Sequence, residues 1–172
     1  SANYNYQSLI VYILLVLWMF RLAFHLIIYK IIPSHQDARY QKMVKTSPAK
    51  AMLKQYFIQT IFQTIVSISG YYLISSLSVP SIYFYCLISI SIIAILGELV
   101  SDLQLQNHLK KSKEICKSGL WKFSRHPNYF FDILFWFSIA LIGLNSPLFF
   151  LSMIGPLFLF ITIYFITGPY SE

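Results

Sequence analysis

Three stretches of this sequence contain no Asp, Glu, Lys or Arg: residues 1–20, 55–97 and 133–171. The last two run for 43 and 39 residues. Each is about twice the ~20 apolar residues with which a helix crosses a bilayer core. Composition agrees: 57% of residues are hydrophobic and 11% charged, whereas soluble domains carry about a quarter charged residues. These numbers exclude a soluble enzyme and a disordered tail. They also exclude a domain that binds nucleic acid through basic charge spread over a wet surface, so no nucleic-acid partner is expected. The expected fold class is all-α, a polytopic transmembrane helix bundle.

Proline and serine punctuation divides the apolar blocks. The first span is expected near 8–32, stopping at Pro33. The second block breaks around Ser78-Val79-Pro80-Ser81 into spans near 55–75 and 81–97, and the third breaks at Asn145-Ser146-Pro147 into spans near 128–144 and 148–167. Residues 1–172 thus read as a single transmembrane domain of about five spans, with polar segments at 33–54 and 98–127. Lys42, Lys45, Lys50 and Lys54 fall in the first polar segment, and Lys110, Lys111, Lys113, Lys117, Lys122 and Arg125 in the second. The connections at 75–81 and 145–147 have no cation. Because cations stay on the cytoplasmic side, the expected topology is N-out/C-in, with both polar segments cytoplasmic. The membrane is a bacterial inner membrane or the endoplasmic reticulum. The chain begins with Ser1, and no basic segment precedes the first apolar stretch, so no cleavable signal is expected. Cys86 and Cys116 fall at different depths, which argues against a disulfide between them.

Charged groups at membrane depth are costly and mark function by default. The densest polar stretch is Ser124-Arg125-His126-Pro127-Asn128-Tyr129-Phe130-Phe131-Asp132. Pro127 suits a first helical position, so a helix is expected to start there with its positive dipole end beside Arg125 and His126. That arrangement suits a phosphate. Asn128 and Asp132, four apart, share a helix face, with Tyr129 three from Asp132. The same stretch also fits an interfacial anchor, with a snorkelling arginine and a belt tyrosine. Glu98 and Asp102 are likewise four apart and repel unless compensated; sugar hydroxyls, Arg125 or an amide would serve, and a solvated acidic turn is the plainer alternative. Arg21 sits in mid-span and needs a partner, with Asp37 and Asp132 nearest in depth; a structural ion pair and a ligand contact are both open. The lysine run from Lys110 to Lys117 would attract anionic lipid or a cofactor phosphate, although most such runs are only topology signals. His25, His35 and His108 have no partner at metal-ligand spacing, so they are expected to be packing or surface histidines and no metal is expected. Serine-hydrolase, Rossmann and P-loop motifs do not occur.

At these residues the sequence resembles the membrane-embedded steroid 5-alpha-reductase-like superfamily. Three blocks carry the likeness, over about residues 15–170. The first is Trp18-x-x-Arg21-Leu22 with Gln36-Asp37-x-Arg39-Tyr40 and then Gln59 and Gln63. The second is Glu98-x-x-Ser101-Asp102-x-Gln104, similar to E-x-x-A-D-x-Q. The third is Gly119-Leu120-Trp121-x-x-Ser124-Arg125-His126-Pro127-Asn128-Tyr129, similar to G-L-W-x-x-S-R-H-P-N-Y-F-G-E.

The resemblance implies an oxidoreductase that uses NADPH to reduce a carbon–carbon double bond conjugated to a carbonyl. Its substrate would be lipophilic: a steroid, an isoprenoid or a fatty enoyl compound. Asp102, Glu98 and Gln104 would then hold polar parts of the cofactor, with Arg21 contributing. Asn128 and Asp132 would face the nicotinamide, and Arg125 and His126 would sit near the phosphates. The sequence departs from the family at three places. Phe131-Asp132 stands where relatives have Gly-Glu, which would reshape the nicotinamide pocket. Trp18 stands where the steroid reductases carry a proton-donating Tyr, leaving Tyr129 and Tyr40 as candidate donors. Relatives also extend beyond both ends of this chain, with further helices before it and a polar tail after it. Since R-H-P-x-Y also occurs in isoprenylcysteine methyltransferase-like enzymes, an S-adenosylmethionine-dependent membrane methyltransferase is the alternative enzyme. A non-catalytic membrane scaffold is the alternative outside catalysis. Membrane lipids are the other expected partner, and the sequence sets no oligomeric state.

Overall fold

A computed structural model describes residues 6–26, 64, 80–112, 114–145 and 149–163. All regular structure among these residues is helical. Helix α1 spans Tyr6–Leu26, α2 Ser81–Leu109, α3 Pro127–Leu141 and α4 Phe149–Thr162, with a 3₁₀ turn at Gly119–Lys122 before α3. The span expected at 55–75 lies outside the described residues, as do the ends of those expected at 8–32 and 148–167. The helix expected at 81–97 does not end at Gly97. It continues to Leu109 for 29 residues, about 43 Å at 1.5 Å per residue, because residues 98–109 contain no Gly or Pro to stop it.

α1 and α2 are long and apolar enough to cross a membrane. α3 and α4 are shorter, at 15 and 14 residues. Each long helix buries one stripe at three- and four-residue spacing: Gln7, Ser8, Val11, Leu14 and Trp18 on α1, and Phe84, Leu87, Ile88, Ser91, Ala94, Glu98, Ser101 and Asp102 on α2. The opposite faces stay apolar although exposed, with Leu9, Ile13, Leu17, Phe20 and Phe24 on α1 and Ile82, Ile93 and Leu96 on α2. Such a face is suited to lipid and costly in water.

α2 and α3 form the main packing pair, with α4 against α3 and α1 against α2. The core is built around Phe84, Phe135, Ile139 and Ile142, all fully buried. Trp18 stacks on Phe135 with ring centroids 5.7 Å apart and meets Trp136 edge-on at 5.0 Å. Small polar residues let the helices approach, as is usual within membranes. The Ser91 and Ser138 hydroxyls meet 2.7 Å apart between α2 and α3. Ser152 of α4 donates to the Ala140 carbonyl of α3, and the Tyr83 hydroxyl donates to the Leu141 carbonyl. Near the other end of the α2–α3 contact, Gly97 gives up its side-chain volume to the ring of Phe131.

Candidate functional site

The inward stripe of α1 turns from apolar to charged in its last turns: Trp18, Arg21 and His25 follow Val11 and Leu14 along the same face. The inward stripe of α2 does the same, with Glu98 and Asp102 one turn apart after Ala94. The two charged ends meet. Arg21 bridges both carboxylates, with Nη2 2.5 Å from Glu98 Oε1 and Nη1 3.2 Å from Asp102 Oδ2. All three side chains are only 9% exposed. His25 Nδ1 lies 3.4 Å from the same Asp102 oxygen. From α3, the Asn128 amide donates to Asp102 Oδ1 at 3.5 Å, a long contact. One turn further on, the Asp132 carboxylate lies in the field of Arg21 and Asp102, beside the Trp18 and Trp136 indoles.

The expected compensation of Glu98 and Asp102 therefore exists, but Arg21 and the Asn128 amide supply it rather than Arg125. Conversely, Arg21 takes Glu98 and Asp102 as its ion-pair partners, not the Asp132 that depth alone suggested; Asp37 lies outside the described residues. The reason is geometric, since α1 packs on α2 and presents Arg21 to the carboxylates of that helix first. His25, which sequence spacing treated as a packing or surface residue, belongs to the cluster. Its signal was its position, four residues after Arg21 and hence on the same face.

Five buried side-chain atoms in this cluster have no hydrogen-bond partner: Trp18 Nε1, Arg21 Nε, Glu98 Oε2, Asn128 Oδ1 and Asp132 Oδ1. Each such atom costs about 1–3 kcal/mol if left dry and unmade, more when charged. Together they are two donors and three acceptors.

The helix expected to begin at Pro127 does so, with His126 as its flanking residue. The His126 ring stacks on Tyr129, with centroids 5.0 Å apart and planes 20° from parallel. Burial, and then the charge of Arg125, hold the His126 imidazole below its ordinary pKa of 6.5. Arg125 itself is exposed.

Gln104, which the resemblance would assign to the cofactor, makes a contact within the protein. Its amide oxygen accepts the Leu120 N–H at 2.9 Å, and its side chain fills the space over Gly119, whose φ is +61°. The Trp121 indole donates to the Ser101 carbonyl at 2.9 Å. These two bonds strap the segment before α3 onto the flank of α2 and so fix where Asn128 and Asp132 enter the cluster. Phe131 points its ring onto Gly97 rather than into the cluster, so its bulk is absorbed by a glycine on the facing helix. Tyr40 lies outside the described residues. Among those described, no group of three or more His, Cys, Asp or Glu side chains is arranged to hold a metal ion.

Fold and site together define an apolar, all-helical protein with a buried ionic centre where three helices converge. The chain belongs to DUF1295, a family of proteins of unknown function, whose model matches residues 1–172. No curated protein and no solved structure matches the chain.

Proposed function

We propose that this protein is an integral membrane reductase that uses NADPH to saturate a conjugated carbon–carbon double bond in a steroid, isoprenoid or fatty enoyl substrate. The observation that carries the reading is the set of unpartnered polar atoms in the cluster. A nicotinamide carboxamide offers two N–H donors and one carbonyl acceptor. Glu98 Oε2, Asn128 Oδ1 and Asp132 Oδ1 are acceptors without donors, and Trp18 Nε1 is a donor without an acceptor. The carboxamide's two donors and one acceptor would pair with two of these three acceptors and one of the two donors, Trp18 Nε1 or Arg21 Nε. The acid-rich cluster is unsuited to phosphates, which fit better at the N-terminus of α3 beside Arg125 and His126. Association of DUF1295 with steroid 5-alpha-reductase-like proteins points the same way.

In this reading NADPH supplies a hydride to the β-carbon, and the protein binds, orients and keeps water out. Glu98 and Asp102, held by Arg21, fix the polar rim of the cavity. Asn128 and Asp132 orient the carboxamide. Gln104 positions the approach to α3 without touching the cofactor. Trp18 cannot donate a proton at neutral pH, so the proton that completes the reduction comes from another group. The five-span, N-out/C-in arrangement sets this cavity at the cytoplasmic face, within reach of both a soluble cofactor and a lipid-borne substrate.

Titration of the purified full chain with NADPH and, separately, with S-adenosylmethionine tests the proposal. NADPH should bind, and Asn128→Ala should weaken it about tenfold or more. Preference for S-adenosylmethionine would replace this reading with a methyltransferase, and binding of neither would favour a scaffold.

A further inference from the structure

The outward face of α2 is apolar from Ile82 to Leu103, with Tyr85, Ile93, Leu96 and Val100 exposed between them. That distance is about 32 Å at 1.5 Å per residue, which matches the ~30 Å hydrocarbon core of a bilayer. After Leu103 the next exposed residue is polar, Asn107. The edge of the hydrocarbon core therefore falls near residues 101–104 of α2.

The segment before α3 is tied to α2 at this level. The Leu120 N–H donates to the Gln104 amide oxygen and the Trp121 indole to the Ser101 carbonyl. α3 starts from the same level, where Asn128 meets Asp102. Phe123 sits between these two fixed points, and its N–H closes a turn onto the Leu120 carbonyl. Its side chain finds no cover in the protein, and the residue is 85% exposed. A fixed turn thus holds a bare phenyl ring where acyl chains give way to headgroups, a depth that suits it far better than water.

The charge around this ring has one sign. Between Leu103 and Phe131 the chain carries Lys110, Lys111, Lys113, Lys117, Lys122 and Arg125 against Glu114 alone. Glu98, Asp102 and Asp132 belong to the buried cluster, which leaves Asp37 and Glu172 as the other acids of the chain. Six cations against at most three acids stay positive wherever those two lie. Lys110, Lys111, Lys117 and Lys122 are exposed. Lys122 is at the core edge beside Phe123, and Lys110 and Lys111 follow the end of α2, within about a Debye length, ~10 Å, of that edge.

We propose that residues 110–123 form a docking surface for anionic phospholipid headgroups, with Phe123 seated at the edge of the acyl chains and Lys110, Lys111, Lys117 and Lys122 drawing the headgroups in. The inference rests on the membrane placement in the reading above, not on its reductase chemistry. Arg125, set there beside cofactor phosphates, is not needed for it. Charge complementarity names the occupant, since basic segments next to a bilayer attract anionic lipid and an apolar anchor adds to that attraction. The turn that displays Phe123 is also the one that places α3. Headgroups that hold Phe123 and Lys122 therefore press the strap onto α2 from outside, and lipid charge bears on the geometry of the buried cluster.

Tryptophan fluorescence of the full chain in phospholipid vesicles tests this. The emission that Phe123→Trp adds to that of the parent should be blue-shifted from tryptophan in water. Lipids brominated near the headgroup end of the acyl chain should quench it more than lipids brominated near the methyl end. At equal mole fraction in phosphatidylcholine vesicles, brominated phosphatidylglycerol should quench it about twofold or more over brominated phosphatidylcholine. Lys110→Gln, Lys111→Gln and Lys117→Gln together should remove that preference. Added emission that is water-like and unquenched overturns the docking surface, and equal quenching by the two brominated lipids overturns its choice of anionic lipid. A preference that inorganic phosphate abolishes at constant ionic strength would assign the lysines to a free anion instead. A chain that does not float with the vesicles sinks the membrane placement as a whole, whereas a floating chain with unquenched emission sinks this surface alone. The NADPH titration bears on neither result.

Discussion

Two places along the α2–α3 contact bury polar groups, and they treat them differently. At Ser91 and Ser138 the two hydroxyls meet at 2.7 Å, and each also reaches a carbonyl of its own helix, that of Leu87 and of Phe135. A little further along, Glu98, Asn128 and Asp132 bury oxygens that bond to nothing. The first site is closed: every polar atom is used, and its effect is to hold two helices together. The second is open, with donors and acceptors in place and no complement. Folding alone does not require the second arrangement, since apolar residues of similar volume would pack as well or better. On the proposed reading, the charged end is where the cofactor completes the site.

Removing Arg21 breaks the comparison most sharply. Arg21→Ala leaves Glu98 and Asp102 facing each other without their cation, and breaking a buried pair from one side costs about 3–5 kcal/mol. Thermal unfolding in detergent should show a large loss in Tm, whereas Arg21→Lys, which keeps the charge but loses the two-pronged geometry, should recover part of it. Equal stability of Arg21→Ala and the parent protein would show that the carboxylates need no compensation.

Gly119 comes next. Its positive φ disfavours any L side chain, by about 1–2 kcal/mol, and a Cβ there would lie 2.5 Å from the Gln104 amide oxygen. Gly119→Ala should therefore destabilise by about that amount or more and, on the proposed reading, weaken NADPH binding by loosening the strap that places α3. Gln104→Ala removes the collision partner but not the φ requirement. The double variant should accordingly be less destabilised than the sum of the two singles, which unfolding midpoints would reveal.

At the closed site the effect is smaller. Ser91→Ala or Ser138→Ala should cost about 0.5–1.5 kcal/mol each. The double variant should cost less than the sum, because neither hydroxyl is then left facing a methyl group. A double-mutant cycle of unfolding free energies measures this coupling, and a coupling near zero would mean that the backbone carbonyls alone satisfy both hydroxyls.

How much of this was legible beforehand follows from the kind of signal each residue carries. The helical class was open to reading because 43 consecutive residues without charge leave few other options. Pro127 marked the start of α3 because its ring fixes φ and its missing N–H costs nothing there. Glu98, Asp102, Asn128 and Asp132 stood out as rare charge or amide groups in apolar surroundings, and α2 and α3 do bring them together. The partners did not stand out. Arg21 pairs with residues some eighty positions away, and which carboxylates it meets depends on the rotation of α1 against α2. His25 was passed over because a histidine alone has no spacing pattern; only the face it shares with Arg21 gives it away. The contact that Gln104 makes was hidden for another reason. The residue sits within a recognisable motif, but two residues beyond Asp102 on a helix is about 200° around the axis, so it faces the 118–121 strap instead of the cluster.

The mildest test concerns His126, at the exposed edge of the charged end. Burial and the neighbouring Arg125 lower its pKa below 6.5, so the folded protein binds this proton less readily than the unfolded chain. Between the two pKa values the unfolded state holds more protons, and stability therefore rises with pH across that window. Above about pH 6.5 the contribution is complete; as pH falls below it, the fold loses stability until the folded pKa is passed. Because His126 is only partly buried, solvent screens part of the effect, and a shallow slope in Tm between pH 7 and the acid side is expected. His126→Asn should flatten that slope while leaving the neutral-pH Tm nearly unchanged. A slope identical in His126→Asn and the parent would show that His126 contributes none of the pH dependence.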